Sequence, residues 1–249
     1  SSMSLTRVKN ITSDVTVDGT TKVSNRLQVG DASITQQYPT LGYVADFQAS
    51  SGSQTYISIA EPGASTLGNT GVVIGEDTNN TYITQRGNKS INIATSDTNR
   101  MIIDGSGRVT KPYQPSFAAF QATANYTAGS GYGKMIADGT RWNEGNHYST
   151  ANSRFTAPIA GVYHFSGHVN CYSIAADYLL DIVFYVNNSS YVMGNRFYSR
   201  GASDLVASMS HTMKLDANDF VEVWWYSNDP SHGFSSGAVW NTFSGFLVG

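Results

Sequence analysis

Residues 154–165, Arg-Phe-Thr-Ala-Pro-Ile-Ala-Gly-Val-Tyr-His-Phe, constrain the fold of this 249-residue chain more than any other stretch. Pro158 cannot donate to a strand ladder and Gly161 admits a tight turn, so together they separate two strands. The first strand ends at Phe155 and Thr156. In the second, Tyr163, Phe165 and Val169 recur at even spacing and share one face. The closing run from Asn241 to Val248 reads the same way, with Phe243, Gly245 and Leu247 on one side and Phe246 and Val248 on the other. Charged residues make up only 13% of the chain, too few for helices with Glu/Lys faces, while Gly, Ser, Thr, Asn and Tyr abound. The chain is expected to be all-β.

Several classes of function are disfavoured at once. A net charge of −3 and a pI near 5.9 offer no general attraction for nucleic acid or anionic lipid. No apolar run approaches the roughly 18 residues of a membrane-spanning helix, so membrane insertion is not expected. Cys171 is the only cysteine, which excludes an intrachain disulfide and predicts a buried, inert thiol.

Residues 1–110 are short β-prone pieces: Val15–Val17, Leu27–Val29, Tyr56–Ile59, Gly71–Gly75, Tyr82–Thr84, Ile91–Ala94 and Met101–Asp104. Turn signals separate them at Asp18-Gly19, Gly30-Asp31, Pro62-Gly63, Gly68-Asn69, Asn79-Asn80, Gly87-Asn88 and Gly105-Ser106-Gly107. Strands this short bury little alone, and three chains packed side by side would cover one another. Met101-Ile-Ile-Asp-Gly-Ser-Gly-Arg-Val109 resembles a hairpin found at the end of phage tail-fibre shafts. The prolines of residues 111–115 mark a stiff linker and a domain boundary before residues 116–249.

From Phe117 the strands lengthen: Phe117–Gln121, Arg154–Thr156, Val162–Val169, Tyr178–Val186, Tyr191–Phe197, Val206–Leu215, Phe220–Tyr226 and Val239–Val248. This pattern suggests a two-sheet jelly roll. Both faces of Tyr178–Val186 are largely apolar, so one of them, including Asp181, is expected to meet another subunit.

Four motifs then occur in order: Arg154 to Phe165, Val183-Phe-Tyr-Val-Asn-Asn188, Leu215-Asp-Ala-Asn-Asp-Phe-Val-Glu-Val223, and Thr242-Phe-Ser-Gly-Phe-Leu247. Through them residues 116–248 resemble the C1q-like domain of the C1q and tumour-necrosis-factor superfamily. The resemblance implies a homotrimer of ten-stranded jelly rolls and no particular activity. Residues 1–115 carry no Gly-X-Y collagen tract, and the fibre-like β-region stands in its place. That combination resembles a bacteriophage receptor-binding tail fibre, a virion component joined to upstream tail parts and binding a host-surface glycan or envelope protein. The alternatives are a secreted recognition or signalling ligand of the same superfamily and a structural trimerising coat protein.

Strand alternation puts the turns 157–161, 187–190 and 216–219 at the base of this head. The longer connections 122–152, 170–177, 198–205 and 227–238 fall at the far end, where recognition loops sit on a rigid scaffold. They hold Tyr126, Tyr132, Trp142, His147, Tyr148, Tyr172, Tyr198, Arg200, Asp229, His232 and Phe234. Aromatic faces beside hydrogen-bonding groups suit sugar rings and protein contacts alike, so these residues form the expected receptor site. The family resemblance implies calcium near the apex, but only Asp204 matches a ligand position, and Arg196 and Arg200 intrude where acceptors would stand. No cofactor is otherwise expected. His147, His164, His168, His211 and His232 lack zinc spacing, and His164 and His168 form a polar row with Ser166. Asp177 with Asp181, or Asp216 with Asp219, are the only acid pairs that a glycosidase could use, and the second pair reads as a hairpin turn. Gly-Ser-Gly-Tyr-Gly at 129–133 reads as a flexible loop with no helix to hold a phosphate. No enzyme activity is expected.

Overall fold

The computed structural model describes residues 71–201 and 203–249, together with strands at 27–29, 45–47 and 54–59. The strand expected at Val15–Val17 and the turns expected at Asp18-Gly19, Gly30-Asp31, Pro62-Gly63 and Gly68-Asn69 lie outside these residues. The chain divides into two compact units, residues 1–91 with 103–108 and residues 92–102 with 109–249.

In the first unit β1 (Leu27–Val29) pairs in parallel with β2 (Ala45–Phe47). β3 (Gln54–Ile59), β4 (Val72–Asp77) and β5 (Thr81–Gln85) form an antiparallel sheet. Asp77 closes the β4–β5 turn by accepting bonds from the Asn79 and Asn80 amides at 2.7 and 2.8 Å and from the Tyr82 hydroxyl at 2.5 Å. Among the side chains described in this unit only Val73 is buried, as strands of such length allow. β6 (Ile91–Thr95), β7 (Thr98–Ile103) and β8 (Val109–Thr110) make a further three-stranded sheet. The loop of its hairpin is drawn together by Asp104, which accepts bonds from the Ser106 and Arg108 amides and from Arg108 Nε at 2.7 Å.

The remaining strands build a sandwich. They are β9 (Ser116–Phe120), β10 (Tyr126–Ala128), β11 (Gly131–Lys134), β12 (Gly139–Glu144), β13 (Tyr148–Ser149), β14 (Arg154–Thr156), β15 (Gly161–Ile174), β16 (Leu179–Val186), β17 (Ser189–Tyr198), β18 (Ser203–Leu215), β19 (Phe220–Ser227), β20 (His232–Phe234) and β21 (Thr242–Leu247). One sheet has the order β10-β20-β15-β21-β9-β12, with β18 on the other side of β15; the second has the order β13-β14-β19-β16-β17, with β11 added to β19. All eight strands read from the sequence after Phe117 are present.

Residues 122–152 depart from that reading. They are not one long distal connection but carry β10, β11, β12 and β13. These strands are short, with no run of alternating apolar residues, and they are defined by the strands they pair with: β10 with β20, β11 with β19, β12 with β9 and β13 with β14. Gly131 to Gly133 is likewise strand β11 and not a flexible loop. A Cβ on Gly133 would stand 2.1 Å from Trp225 Cζ2, so glycine lets β11 lie directly over that indole.

Alternation on the long strands supplies the core. Phe117, Phe155, Tyr163, Phe165, Phe184 and Phe243 are all buried inside, joined by ring contacts such as Phe117–Phe155 at 5.1 Å and Phe117–Phe243 at 4.9 Å. Each fully buried Phe stabilises the fold by about 1.5–3 kcal/mol through apolar burial. Gly245, opposite Phe165 in the register, leaves room for its ring, because a Cβ there would lie 2.4 Å from Cδ1. Cys171 is buried in the same core, and burial pushes its thiol up to about 12, so it is an unreactive packing residue.

The base turns fall where strand alternation put them. Asn187 and Asn188 both take positive φ (51° and 66°), as a two-residue hairpin requires. The Asn187 side chain donates to Asp219 Oδ1 at 2.7 Å and accepts from the Phe220 amide at 3.1 Å, tying two base turns together. Asp216 and Asp219 form a turn as well, with the Asp216 amide donating to Asp219 Oδ2.

Candidate recognition surfaces

The expected receptor residues separate by burial. Tyr148, Asp229, His232 and Phe234 are buried in the head and offer no surface to a ligand. Tyr148 donates its hydroxyl to the Ala137 carbonyl at 2.8 Å, and Asp229 accepts bonds from the amides of Ala175 and Ser231, both at 2.8 Å. Tyr148, His232 and Phe234 are carried inward by β13 and β20, strands of only two or three residues that leave no alternation to read, and Asp229 lies in the connection before β20. Tyr126 is largely buried too and stacks on Phe234 at 5.0 Å, while His147 and Tyr172 are half-buried. Tyr132, Trp142, Tyr198 and Arg200 are exposed. These four are not one cluster in the fold: Tyr132 and Trp142 lie on strands of different sheets, and Tyr198 and Arg200 lie at the distal β17–β18 connection.

Trp142 belongs to a groove on the outer face of the first sheet. It lines a depression of about 670 Å³ with Arg141, Ala118, Ser244 and Phe246, and it is 50% exposed beside a 48% exposed Phe246. At the opposite side of the domain the edge strand β17 and its neighbour β18 show Tyr191, Met193, Phe197 and Val206 to solvent. A groove and a ridge of apolar side chains therefore occupy different faces of one domain. Between them on the outer face of β15 lies the polar row foreseen around His164, whose ring nitrogens meet Thr212 Oγ1 at 2.9 Å and Ser210 Oγ at 3.0 Å.

The outer face of the second sheet has a different chemistry. On β19, Val221, Val223 and Trp225 point into the core, so Glu222, Trp224 and Tyr226 point out. Register places Tyr132 beside Tyr226, Tyr226 beside Asp181 and Asp181 beside Arg196. Arg196 grips the fully buried Asp181 through Nε at 2.8 Å and Nη2 at 2.7 Å. Glu222 accepts from Arg154 Nε at 2.8 Å, Trp224 Nε1 at 2.8 Å and Lys134 Nζ at 3.4 Å. The second apolar face of β16 is thus covered by side chains of its own chain. Val183 is 1% exposed in the single chain, with Trp224 and Met193 as its register neighbours, and no other subunit is needed to cover it or Asp181. Tyr185, Trp224 and Tyr226 were not singled out in the sequence. The alternation Val-Glu-Val-Trp-Trp-Tyr was the available signal, since Glu222 marks the phase that faces water.

These contacts also dispose of the acid pairs. Asp181 is locked to Arg196, and Asp216 and Asp219 are joined in a turn. Asp204 is exposed at the start of β18, and among the described residues no three His, Cys, Asp or Glu side chains gather as a metal-binding group. Calcium takes six to eight oxygens, and the donors of one chain do not fit it here.

Comparison with known proteins agrees with the topology. The C1q domain family matches residues 119–248. The collagen alpha-1(X) chain of Mus musculus is 36% identical over 109 residues, covering 43% of this chain and 15% of the relative's own length. Among solved structures, the globular domain of a zebrafish complement 1qA protein aligns with a TM-score of 0.41 at 17% identity, over 55% of this chain and 98% of that one. The Eiger TNF structure from S. frugiperda aligns with a TM-score of 0.44 at 8% identity, over 55% of this chain and 93% of that one.

Proposed function

We propose, from the premise that the chain belongs to the C1q domain family, that it is an extracellular recognition protein whose C-terminal head binds its target as a trimer. The C1q domain is a non-enzymatic fold, and domains of this superfamily typically trimerise. The observation that carries the assembly is the pairing of apolar surfaces: a groove at Trp142 and Phe246 and a ridge at Tyr191, Met193, Phe197 and Val206, on different sides of one domain. Unlike surfaces that meet make a head-to-tail contact, which closes into a ring when the rotation between neighbours divides a full turn. Three heads then present three copies of any binding surface, so weak single sites suffice.

The match to a collagen chain supports a secreted recognition or signalling protein over a phage tail-fibre tip. A second reading, the tail-fibre tip with a host glycan or envelope protein as receptor, is favoured by the short-stranded region and its Asp104-closed hairpin. Fluorescently labelled chain applied to panels of animal cells and of bacterial strains tests both. Saturable binding to animal surfaces supports the first reading, binding to particular bacterial strains supports the second, and no saturable binding to either overturns the recognition role.

A further inference from the structure

Four aromatic side chains share the outer face of the second sheet, and none belongs to the groove or to the ridge. Tyr132 lies against Tyr226 at 4.7 Å and against Tyr185 at 6.5 Å, and Tyr185 stacks on Trp224 at 4.6 Å with planes 22° apart. Tyr132 is 53% exposed and the other three are partly so. We propose that this face is a saccharide platform, on which a neutral sugar ring stacks against Tyr132 and its neighbours and hydrogen-bonds to the flanking side chains.

Three features of the face select that ligand. The aromatic planes are held in place before anything binds: Trp224 donates to Glu222, and Gly133 brings β11 down onto Trp225 so that Tyr132 is seated on Tyr226. A preset ring loses little entropy on meeting a ligand. The flanking charges are already engaged, Asp181 with Arg196 and Glu222 with both Arg154 and Lys134. Each of these cations is held by a carboxylate, so an anionic sugar, a phosphate or a strongly charged peptide has to compete with Asp181 or Glu222 for it. Hydroxyl groups, by contrast, find donors and acceptors in the Tyr132, Tyr185 and Tyr226 phenols. Finally, the face is small. An aromatic strip bounded by two ion pairs fits one or two sugar rings, whereas a stable protein interface needs about 800 Å² on each side. Sugar C–H groups stack on aromatic faces as other apolar edges do.

The site rests on the reading of the chain as a recognition head and specifies its ligand. The groove lies on the outer face of the other sheet, and of the ridge residues Met193 shares the platform's face, two strands away from Trp224. The test is an array of immobilised neutral oligosaccharides of glucose, galactose, mannose and N-acetylglucosamine, with sialylated glycans alongside, probed with the full chain. Tyr132→Ala and Tyr185→Ala are expected to lower binding to the neutral glycans about tenfold or more, with melting temperature and oligomeric state unchanged. Tyr132→Phe keeps the stacking face and is expected to retain binding. Tyr198→Ala and Arg200→Ala, at the distal connection, are expected to leave it intact. Binding that survives Tyr132→Ala and Tyr185→Ala, or that is lost with the distal variants instead, overturns the platform. So does a blank array, or one that lights up only for sialylated glycans. A blank array alongside saturable binding to cells overturns the platform alone, whereas loss of both overturns the recognition role itself.

Discussion

His232 shows how one residue's surroundings set a property of the head. Its ring is 2% exposed, with Nδ1 3.2 Å from the Asp229 carbonyl and Nε2 without a hydrogen-bond partner, and Trp225 lies edge-on at 5.1 Å. Burial pushes its pKa below the ordinary value of 6.5, and the Asp229 contacts only partly oppose this. The neutral form is therefore the folded form. As pH falls below 6.5 the unfolded chain takes up a proton that the folded chain refuses, so stability present at neutral pH is lost with acid. The melting temperature followed by circular dichroism is expected to drop between pH 7 and pH 5, and to drop less in His232→Phe. An unchanged acid dependence in that variant would assign the effect elsewhere, with His168, also lowered by burial, the next group to replace. Histidine content was legible in the sequence, but the burial of His232 was not, because it sits on a three-residue strand that only its partners β10 and β15 define.

At the scale of the element, β16 is the informative strand. Its two apolar phases looked like a strand covered on one side by a second subunit. Leu180, Ile182 and Phe184 do face the core, but Leu179, Asp181 and Val183 are buried by the side chains of β17 and β19. The covering depends on Arg196, which satisfies a carboxylate with no exposure of its own. Removing that partner strands a buried charge. Arg196→Met is expected to lower the midpoint of urea unfolding, by less than for a fully buried pair because the guanidinium is half-exposed. Asp181→Val combined with Arg196→Met is expected to recover most of that loss, since both ends of the polar pair are then gone. A double variant as unstable as the single one would show that the ion pair is not what holds this face.

For the whole molecule, the proposed assembly surfaces and the proposed recognition face occupy different parts of the head. Trp142→Glu or Phe246→Glu puts a charge into the groove and leaves the core aromatics untouched. Light scattering after size exclusion is expected to show monomers in place of trimers, and apparent affinity for a multivalent surface is expected to fall by roughly 100- to 10,000-fold. Trimers that persist in both variants would move the subunit contact off the groove. The groove was invisible in the sequence as a groove. Trp142 reads as a residue of a distal loop, while Phe246 reads only as sharing a side of the last strand with Val248, without a surface to belong to.

The all-β class, the eight strands after Phe117 and the base turns were legible along the chain, because period-two alternation and Pro, Gly and Asn at turns are local properties of the backbone. The superfamily was legible only through the resemblance of four motifs. Packing across the sandwich set the rest: that residues 122–152 carry four short strands, that Tyr148, Asp229, His232 and Phe234 are internal, and that Tyr132, Tyr185, Trp224 and Tyr226 meet on one face. Each of these depends on hydrogen-bond ladders and neighbours far away in the chain. A two-residue strand or a row across a sheet has no signature in the order of residues along it.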